Sequence, residues 1–341
     1  MPYKIAIIGA TGAVGRKIIE GLETRRFPVS ELKLFSSERS AGCELLFKGE
    51  KIKVEKLTKN SFSGVDIAFF SAGSAVSREF VKSAVLQDAV VIDNTSAFRM
   101  SEDVPLVVPE VNGRDAFLHK GVIANPNCST IQMVVALKPI YDNFGISKIV
   151  VTTFQAVSGA GNMALNALVN QTKAALKGIE FVPDVLPVRN EKKYHPIAFN
   201  VIPQIDKGLE NGFTFEEMKM IDETRKILKD EELAITATCV RVPVMFGHSE
   251  AVYVELKKEF KVEDLKEVLS KAKGVRVEDN ILEQEYPMPF FVANKEEVFV
   301  GRIRKDLFND YAVKMWVVAD NLLKGAATNA IQIAEILITK T

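Results

Sequence analysis

Residues 4–8 form a short apolar run that ends in Gly9-Ala10-Thr11-Gly12-Ala13-Val14-Gly15, after which Val14, Ile18, Ile19 and Leu22 recur at helical spacing. Strand, tight turn and helix follow one another with no room for a longer loop. A strand that is apolar along its whole length has to be covered on both faces, which commits the chain to a layered α/β architecture rather than an open antiparallel sheet. Further strand-like runs at 32–35, 65–70, 90–92 and 122–124, with a helical pattern over 76–86 between two of them, repeat the alternation and predict a parallel sheet.

From about residue 129 the character changes. A long strand over 149–157 leads into helix-rich sequence, and an antiparallel pair is read at 235–244 and 251–256, so a second domain with its own sheet is expected. The last helical pattern, 311–338, carries Gly325-Ala326-Ala327, small residues that allow close packing or a break. Its second half is expected to return to the first domain. The expected domains are 1–128, completed by a C-terminal helix over 320–341, and 129–319, in keeping with the two domains that 341 residues favour.

Lysine plus arginine balance aspartate plus glutamate at 44 each, so no overall field draws the protein to nucleic acid or to an anionic membrane, and small molecules are the expected partners. No apolar stretch approaches the ~18 residues of a membrane span, and the N-terminus enters the strand pattern without a secretory signal. Three cysteines, at 43, 128 and 239, fall in no disulfide or CxxC spacing. A reducing, cytoplasmic location and no metal site are expected.

The loop from Gly9 to Gly15 has glycines where a turn needs positive φ and where backbone must approach a pyrophosphate at a helix N-terminus. Its GxxGxxG spacing departs from GxGxxG, but its place after a strand and before a helix favours dinucleotide binding, through Gly9, Thr11, Gly12, Ala13 and Val14, over a plain βα turn. The second strand runs into Ser36-Ser37-Glu38-Arg39-Ser40, where NAD binders place an acid and NADP binders an arginine. Both are present. Arg39 with Ser36 or Ser40 can clasp a 2′-phosphate, yet on the loop alone an exposed polar turn is an equal reading.

Asn125-Pro126-Asn127-Cys128 follows an apolar run and precedes the helical pattern of Ile131, Val134, Val135 and Lys138. Ser129 to Gln132 reads as a capping box, which puts Cys128 just before the N-cap, where unsatisfied N–H groups and the helix dipole favour thiolate and lower the pKa below ~8.5. Cys128 is the expected nucleophile. A buried, inert thiol is the default for Cys43 and Cys239.

NPNCST, GATGAVG, SSERSAG, SAFRM and RVPVMFGHSEAV, in this order, resemble the aspartate-semialdehyde dehydrogenase family, and the resemblance extends from residue 4 to the GAATNAIQIA segment. It implies a Rossmann-like dinucleotide-binding domain followed by an α+β catalytic and dimerisation domain, the architecture of glyceraldehyde-phosphate dehydrogenase. It also implies NADP as cofactor, a homodimer or dimer of dimers, and NADPH-dependent conversion of L-aspartyl-4-phosphate to L-aspartate 4-semialdehyde and phosphate through a cysteine thioester. That step belongs to lysine (diaminopimelate), methionine, threonine and isoleucine biosynthesis.

Roles for other residues follow from the same resemblance. Arg241, which its strand pattern alone leaves between a structural ion pair and a substrate carboxylate, holds the carboxylate. His248, across an expected hairpin bend from Arg241, is the acid/base, and it can take a proton from Cys128; His119 and His195 keep a structural reading. Gln155, otherwise an ordinary polar strand end, orients substrate, Ser158 and Gly159 touch the cofactor, and Asn321 contacts the carboxamide unless it is a solvent-facing helix position. Arg99 takes phosphate. Thr214 to Glu217 is a second capping box that sets Glu216 and Lys219 on one helical face; residue spacing alone makes them an exposed ion pair, and the resemblance gives Glu216 the substrate ammonium and Lys219 the phosphate. An N-acetylglutamyl-phosphate reductase carries a Gly-Cys-Tyr-Pro-Thr type of motif in place of Asn127-Cys128-Ser129-Thr130, and a silent dinucleotide-binding sensor lacks one of Cys128, Gln155, Arg241 or His248.

Overall fold

The computed structural model describes residues 2–188 and 192–339. The chain begins β1 (Tyr3–Ile8), α1 (Ala13–Thr24), β2 (Val29–Ser36), β3 (Glu44–Phe47), β4 (Glu50–Lys56), β5 (Ile67–Phe70), α2 (Ser74–Val85), β6 (Val90–Asp93), α3 (Pro109–Asn112) and β7 (Val122–Ala124). There follow α4 (Cys128–Phe144), β8 (Ile146–Gln155), α5 (Asn162–Leu176), α6 (Phe215–Leu228), β9 (Ala234–Arg241), β10 (His248–Leu256), α7 (Val262–Lys271) and β11 (Val275–Val277). It ends α8 (Pro289–Val292), β12 (Val298–Lys305), β13 (Ala312–Ala319) and α9 (Thr328–Thr339). The elements fall into two compact units, Met1–Asn127 with Gly325–Thr341, and Cys128–Lys324.

The first unit is built on a seven-stranded sheet in the order β3-β4-β2-β1-β5-β6-β7, parallel except for the β3–β4 pair. The chain runs outward from β1 through β2 to β4 and then restarts beside β1 with β5, so the strand order reverses at the C-terminal ends of β1 and β5. In open α/β sheets that reversal is where ligands bind. Both sheet faces are buried, as the unbroken apolar runs require. Ile5 and Ile7 pack with Ile18 and Leu22 of α1 and with Ile331, Ile333 and Ala334 of α9, while Ala6 and Ile8 pack on the other face with Phe62, Phe70, Val81 and Ala84.

The second unit has a six-stranded sheet in the order β11-β12-β13-β10-β8-β9. Helices α6, α4 and α7 form one layer against it, with α4 in the middle. Residues 129–137 of α4 are all buried.

Three expectations are corrected here. Residues 311–338 are not one helical pattern, because 312–319 is β13, whose Val313, Met315 and Val317 alternate inward at the strand period. The pair read at 235–244 and 251–256 does not exist: β8 lies between β9 and β10, parallel to the first and antiparallel to the second. The link from Arg241 to His248 is accordingly a crossing over the end of β8, held by Val242 N–H to Gln155 O at 3.0 Å and Val157 N–H to Val244 O at 2.9 Å, and not a hairpin. Finally, α4 already includes Cys128, so Ser129 lies inside its first turn, and Gln132 donates to His248 O at 3.3 Å instead of closing a capping box.

Candidate active site

The turn after β1 is shaped by close approach. Gly9 has φ +88°, and a Cβ there would lie 2.9 Å from the Ser71 carbonyl carbon; a Cβ on Gly15 would lie 2.2 Å from Gly9 O. Both positions therefore need glycine. The N-terminus of α1 carries no side-chain cap and no acidic residue in its first turn, which leaves N–H groups and the positive dipole end for an anion.

A cavity of about 550 Å³ opens at this loop. Gly9, Thr11, Gly12, Ser36 and Arg39 line it, whereas Ala13, Val14 and Ser40 do not. Thr11 Oγ1 and Ser36 Oγ are 2.9 Å apart. Arg39 is exposed, and Lys56 holds the acid beside it, Glu38, at 3.2 Å. Leu57, Val76 and Phe80 supply an apolar wall that the sequence reading missed, since they come from the residue after β4 and from α2, which no motif marks. An apolar wall, a bare helix N-terminus and an unengaged arginine suit a phosphorylated dinucleotide.

Arg99, also in the first unit, is buried and donates to Asn125 O and Asn94 O, both at 2.9 Å. The loop that presents it is pinned by Asp93, which accepts from Ser77 Oγ at 2.9 Å and from the Thr95 amide at 3.0 Å. Burial raises the Asp93 pKa against those hydrogen bonds.

In the second unit the crossing over β8 has a direct consequence. Gln155 stands opposite Arg241 in the β8–β9 register and next to His248 across β8–β10, so Arg241, Gln155 and His248 occupy neighbouring strand ends on one face. All three are buried. The Ala156 peptide joins two of them: its carbonyl accepts from Arg241 Nη1 at 2.8 Å and its N–H donates to His248 Nδ1 at 3.1 Å. Because Nδ1 is committed as an acceptor, the neutral ring carries its proton on Nε2.

That Nε2 has no protein partner among the described residues. A Cβ on Gly159 would lie 3.2 Å from it and 3.1 Å from Arg241 Nη1, so the glycine keeps the space over both groups open. Burial, and then the charge of Arg241, hold the His248 pKa well below its ordinary value. Burial lowers that of Arg241 too, while Glu216 and Cys128 act in the opposite direction, which places Cys128 within charge reach of the guanidinium.

Gln155 Nε2 donates to Glu216 Oε1 at 3.2 Å. The second capping box is formed, with Glu217 N–H donating to Thr214 Oγ1 at 3.3 Å and Thr214 N–H to Glu217 Oε2 at 2.7 Å. It fixes the first turn of α6 so that Glu216 is buried, with Lys219 Nζ 3.2 Å away and Asp206 holding the same ammonium at 2.7 Å. Although the ion pair itself is formed, its full exposure is thereby excluded. So is the solvent-facing alternative for Asn321, which is buried in the turn after β13, accepts from Gly247 N–H at 3.0 Å and donates to Ser158 Oγ at 3.0 Å.

Cys239 is buried, with its thiol pKa pushed far up by desolvation, and cannot serve as a thiolate at neutral pH. Cys43 is exposed, contrary to the buried default, because it precedes an edge strand. Cys128 is partly exposed at the start of α4.

A family model described as "Semialdehyde dehydrogenase, NAD binding domain" matches residues 4–119, and one described as "Semialdehyde dehydrogenase, dimerisation domain" matches residues 137–324. Aspartate-semialdehyde dehydrogenase of Bacillus subtilis (strain 168) is 54% identical over 334 residues, covering 98% of this chain and 96% of its own. The chain belongs to the aspartate-semialdehyde dehydrogenase family. A crystal structure of aspartate semialdehyde dehydrogenase II complexed with ASA, from Vibrio cholerae, superposes with a TM-score of 0.94 at 45% identity, covering 99% of each chain. A more distant aspartate semialdehyde dehydrogenase, solved with NADP from Candida albicans, has a TM-score of 0.76 at 28% identity and covers 100% of this chain and 99% of its own. Among the described residues of this family member no helix is long and apolar enough to cross a membrane.

Proposed function

We propose that the protein reduces L-aspartyl-4-phosphate to L-aspartate 4-semialdehyde and phosphate with NADPH, reversibly, through a thioester on Cys128. The observation that carries this reading is the shared face of Arg241, Gln155 and His248, with Glu216 joined to Gln155 and Cys128 within charge reach of Arg241. Such a face suits an amino acid. Arg241 spends one N–H group on Ala156 O and offers the rest of its fork to the substrate carboxylate, and Glu216 takes the ammonium.

Cys128 Sγ attacks the acyl carbon, and the phosphate leaves under the charges of Arg99 and Lys219. When bound, NADPH supplies the hydride that reduces the acyl group. His248 acts from Nε2–H as a hydrogen-bond donor that keeps its proton: it steadies the thiolate before attack, the adduct oxyanion after reduction, and the thiolate again as the oxyanion collapses and the aldehyde departs. With Nδ1 occupied by the Ala156 amide, the ring is a donor at rest, so the expected uptake of the Cys128 proton is not the resting arrangement. Gly9, Thr11, Gly12, Ala13 and Val14 would hold the pyrophosphate, Ser36, Arg39 and Ser40 the 2′-phosphate, and Ser158, Gly159 and Asn321 the nicotinamide end.

The biosynthesis of lysine, methionine, threonine and isoleucine is the setting of this step, and the cytoplasm its compartment. Pairing of the second unit's open sheet face with a second copy would give the homodimer, alone or as a dimer of dimers.

Incubation with aspartyl phosphate in the absence of NADPH is expected to add one aspartyl group to the peptide containing Cys128. Cys128→Ser is expected to fold, bind NADP and lose nearly all turnover, since its hydroxyl is far less acidic than a thiol. Label on Cys43 or Cys239, or full activity in Cys128→Ala, would reject the mechanism. Turnover with N-acetylglutamate semialdehyde in place of aspartate semialdehyde would reject the substrate.

A further inference from the structure

Two asparagines in the NPNCST and GAATNAIQIA segments have no part in the reaction as described. Asn125 closes β7 three residues before Cys128, and Asn329 lies in the first turn of α9. Both are buried in the first unit, and Asn329 Nδ2 donates to Asn125 Oδ1 at 2.7 Å and to Val107 O at 3.0 Å. A backbone carbonyl can only accept, so Val107 O fixes which end of the Asn329 amide points inward, and its NH2 hydrogens go to these two acceptors. Val107 N–H in turn donates to Ala124 O at 3.1 Å, beside Asn125. One amide from α9 therefore ties down the end of β7 and the segment next to it.

Asn125 is held at each of its polar groups. Its N–H donates to Asp93 O at 2.8 Å, its carbonyl accepts from Arg99 Nε at 2.9 Å, Oδ1 takes the Asn329 hydrogen, and Nδ2 reaches Ala326 O at 3.5 Å. The same residue thus orients the guanidinium given to phosphate and anchors the turn that Pro126 and Asn127 carry into Cys128. Pro126 locks one φ of that turn, so a displacement of Asn125 is passed on to Cys128 more readily than it is absorbed.

We propose that Asn329, acting through Asn125, is a positioning residue of the reaction: it holds the turn before Cys128 and the Arg99 guanidinium in one arrangement. The proposal rests on the roles given above to Cys128 and Arg99. Neither asparagine touches substrate in this scheme. An alanine at 329 takes the donor away from two buried acceptors, and the turn is then free to shift.

The test combines Asn329→Ala, Asn125→Ala, the double variant and Glu335→Ala. Glu335, also on α9, is paired with Arg25 of α1 at 2.8 and 2.7 Å, so its removal loosens the same helix about 9 Å further along. Each variant is assayed for kcat and for KM with aspartate semialdehyde, phosphate and NADP, for melting temperature, and for the pH dependence of Cys128 alkylation by iodoacetamide. Asn329→Ala and Asn125→Ala are each expected to lose roughly ten-fold or more in kcat/KM for phosphate, with KM for NADP near the parental value. Their alkylation profiles are expected to move to higher pH, because a loosened turn weakens the hold of the α4 N-terminus on the thiolate. The double variant is expected to be no worse than the poorer single one, since the two residues act as one unit. Glu335→Ala is expected to melt earlier with parental kinetics and alkylation.

Parental phosphate kinetics and alkylation in Asn329→Ala, additive losses in the double variant, or the same changes in Glu335→Ala would overturn the proposal. Should Asn329→Ala fail to fold, Asn125→Ala and Asn329→Ser are read in the same way. Alkylation needs no substrate, so it decides this inference even for a parent enzyme inactive on aspartate semialdehyde, an outcome that counts against the proposed reaction alone.

Discussion

Ala156 brings only its backbone to the second unit's site, yet that backbone faces Arg241 with its carbonyl and His248 with its N–H. The two side chains are therefore tied to the two successive peptide groups that meet at the Ala156 Cα. Arg241→Lys keeps the charge but loses the planar fork, so it is expected to raise KM for aspartate semialdehyde by on the order of ten-fold or more while the protein stays folded. A lower melting temperature with unchanged kinetics would make Arg241 structural. The protonation state of His248 has its own signature. Because burial and Arg241 hold its pKa well below 6.5, the ring stays neutral, with its Nε2–H in place, as the pH falls through 6.5. The kcat profile is expected to show no acid limb centred on that value, and a limb centred there would argue for an ordinary exposed imidazole. In the first unit, Arg39→Ala is expected to raise KM for NADP far more than KM for NAD, by the ~1.5–3 kcal/mol of a charge-assisted contact. Equal effects on both cofactors would remove Arg39 from the 2′-phosphate.

At the scale of elements, the β1–turn–α1 start, the parallel strands at 32–35, 90–92 and 122–124 and the α6 capping box were all legible, because each is set by neighbours in sequence. The insertion of β8 between β9 and β10 was not. Alternating residues at 235–241 and 251–256 report a buried face but not a partner strand, and the six-residue link suggested a hairpin. For the same reason the motifs could name Arg241, Gln155 and His248 but not their order across the sheet, nor the Ala156 peptide, which has no side-chain signature. Glu250 was read only as part of the RVPVMFGHSEAV run, although a lone acid in the inward phase of an apolar strand was the available signal of a buried carboxyl.

The same elements make a stability prediction. Glu250, with its pKa raised by burial, keeps its proton in the folded protein above pH 4.5 while the unfolded chain loses it, so stability falls as pH rises through that window. His248 acts on the other side: as pH falls below 6.5 the unfolded chain gains a proton first, and stability falls again. Denaturant titrations of Glu250→Gln are expected to show a smaller alkaline loss than the parent, and parallel curves would mean Glu250 is ionised when folded. Gly15→Ala sets a Cβ against Gly9 O and is expected to cost about 1–3 kcal/mol and weaken NADP binding. A variant with the parental melting temperature and KM would show that the turn yields more easily than its geometry implies.

At the scale of the molecule, the second unit's sheet has one face covered by α4, α6 and α7 and another on which Thr236, Thr238 and Ala251 are exposed beside half-buried Val150, Phe154, Tyr253 and Trp316. The part of this face that α8 leaves open, over β8, β9 and β10, has the composition expected of an association surface. Ala251→Arg is expected to convert a dimer to monomer in sedimentation velocity, and an unchanged dimer would move the interface elsewhere.

Ile331, Ile333 and Ala334 of α9 share a core with Ile5, Ile7 and Ile18 of the first unit, although more than three hundred residues separate them. A ribosome delivers those partners last. While the chain is being made, the sheet of β1 to β7 stands with one face open through the synthesis of the whole second unit, so the dinucleotide-binding unit, first in sequence, has to be the second to finish. A nascent chain stalled after residue 324 should hold a protease-resistant second unit and a first unit that is still cut, and only release of the final helix should close it.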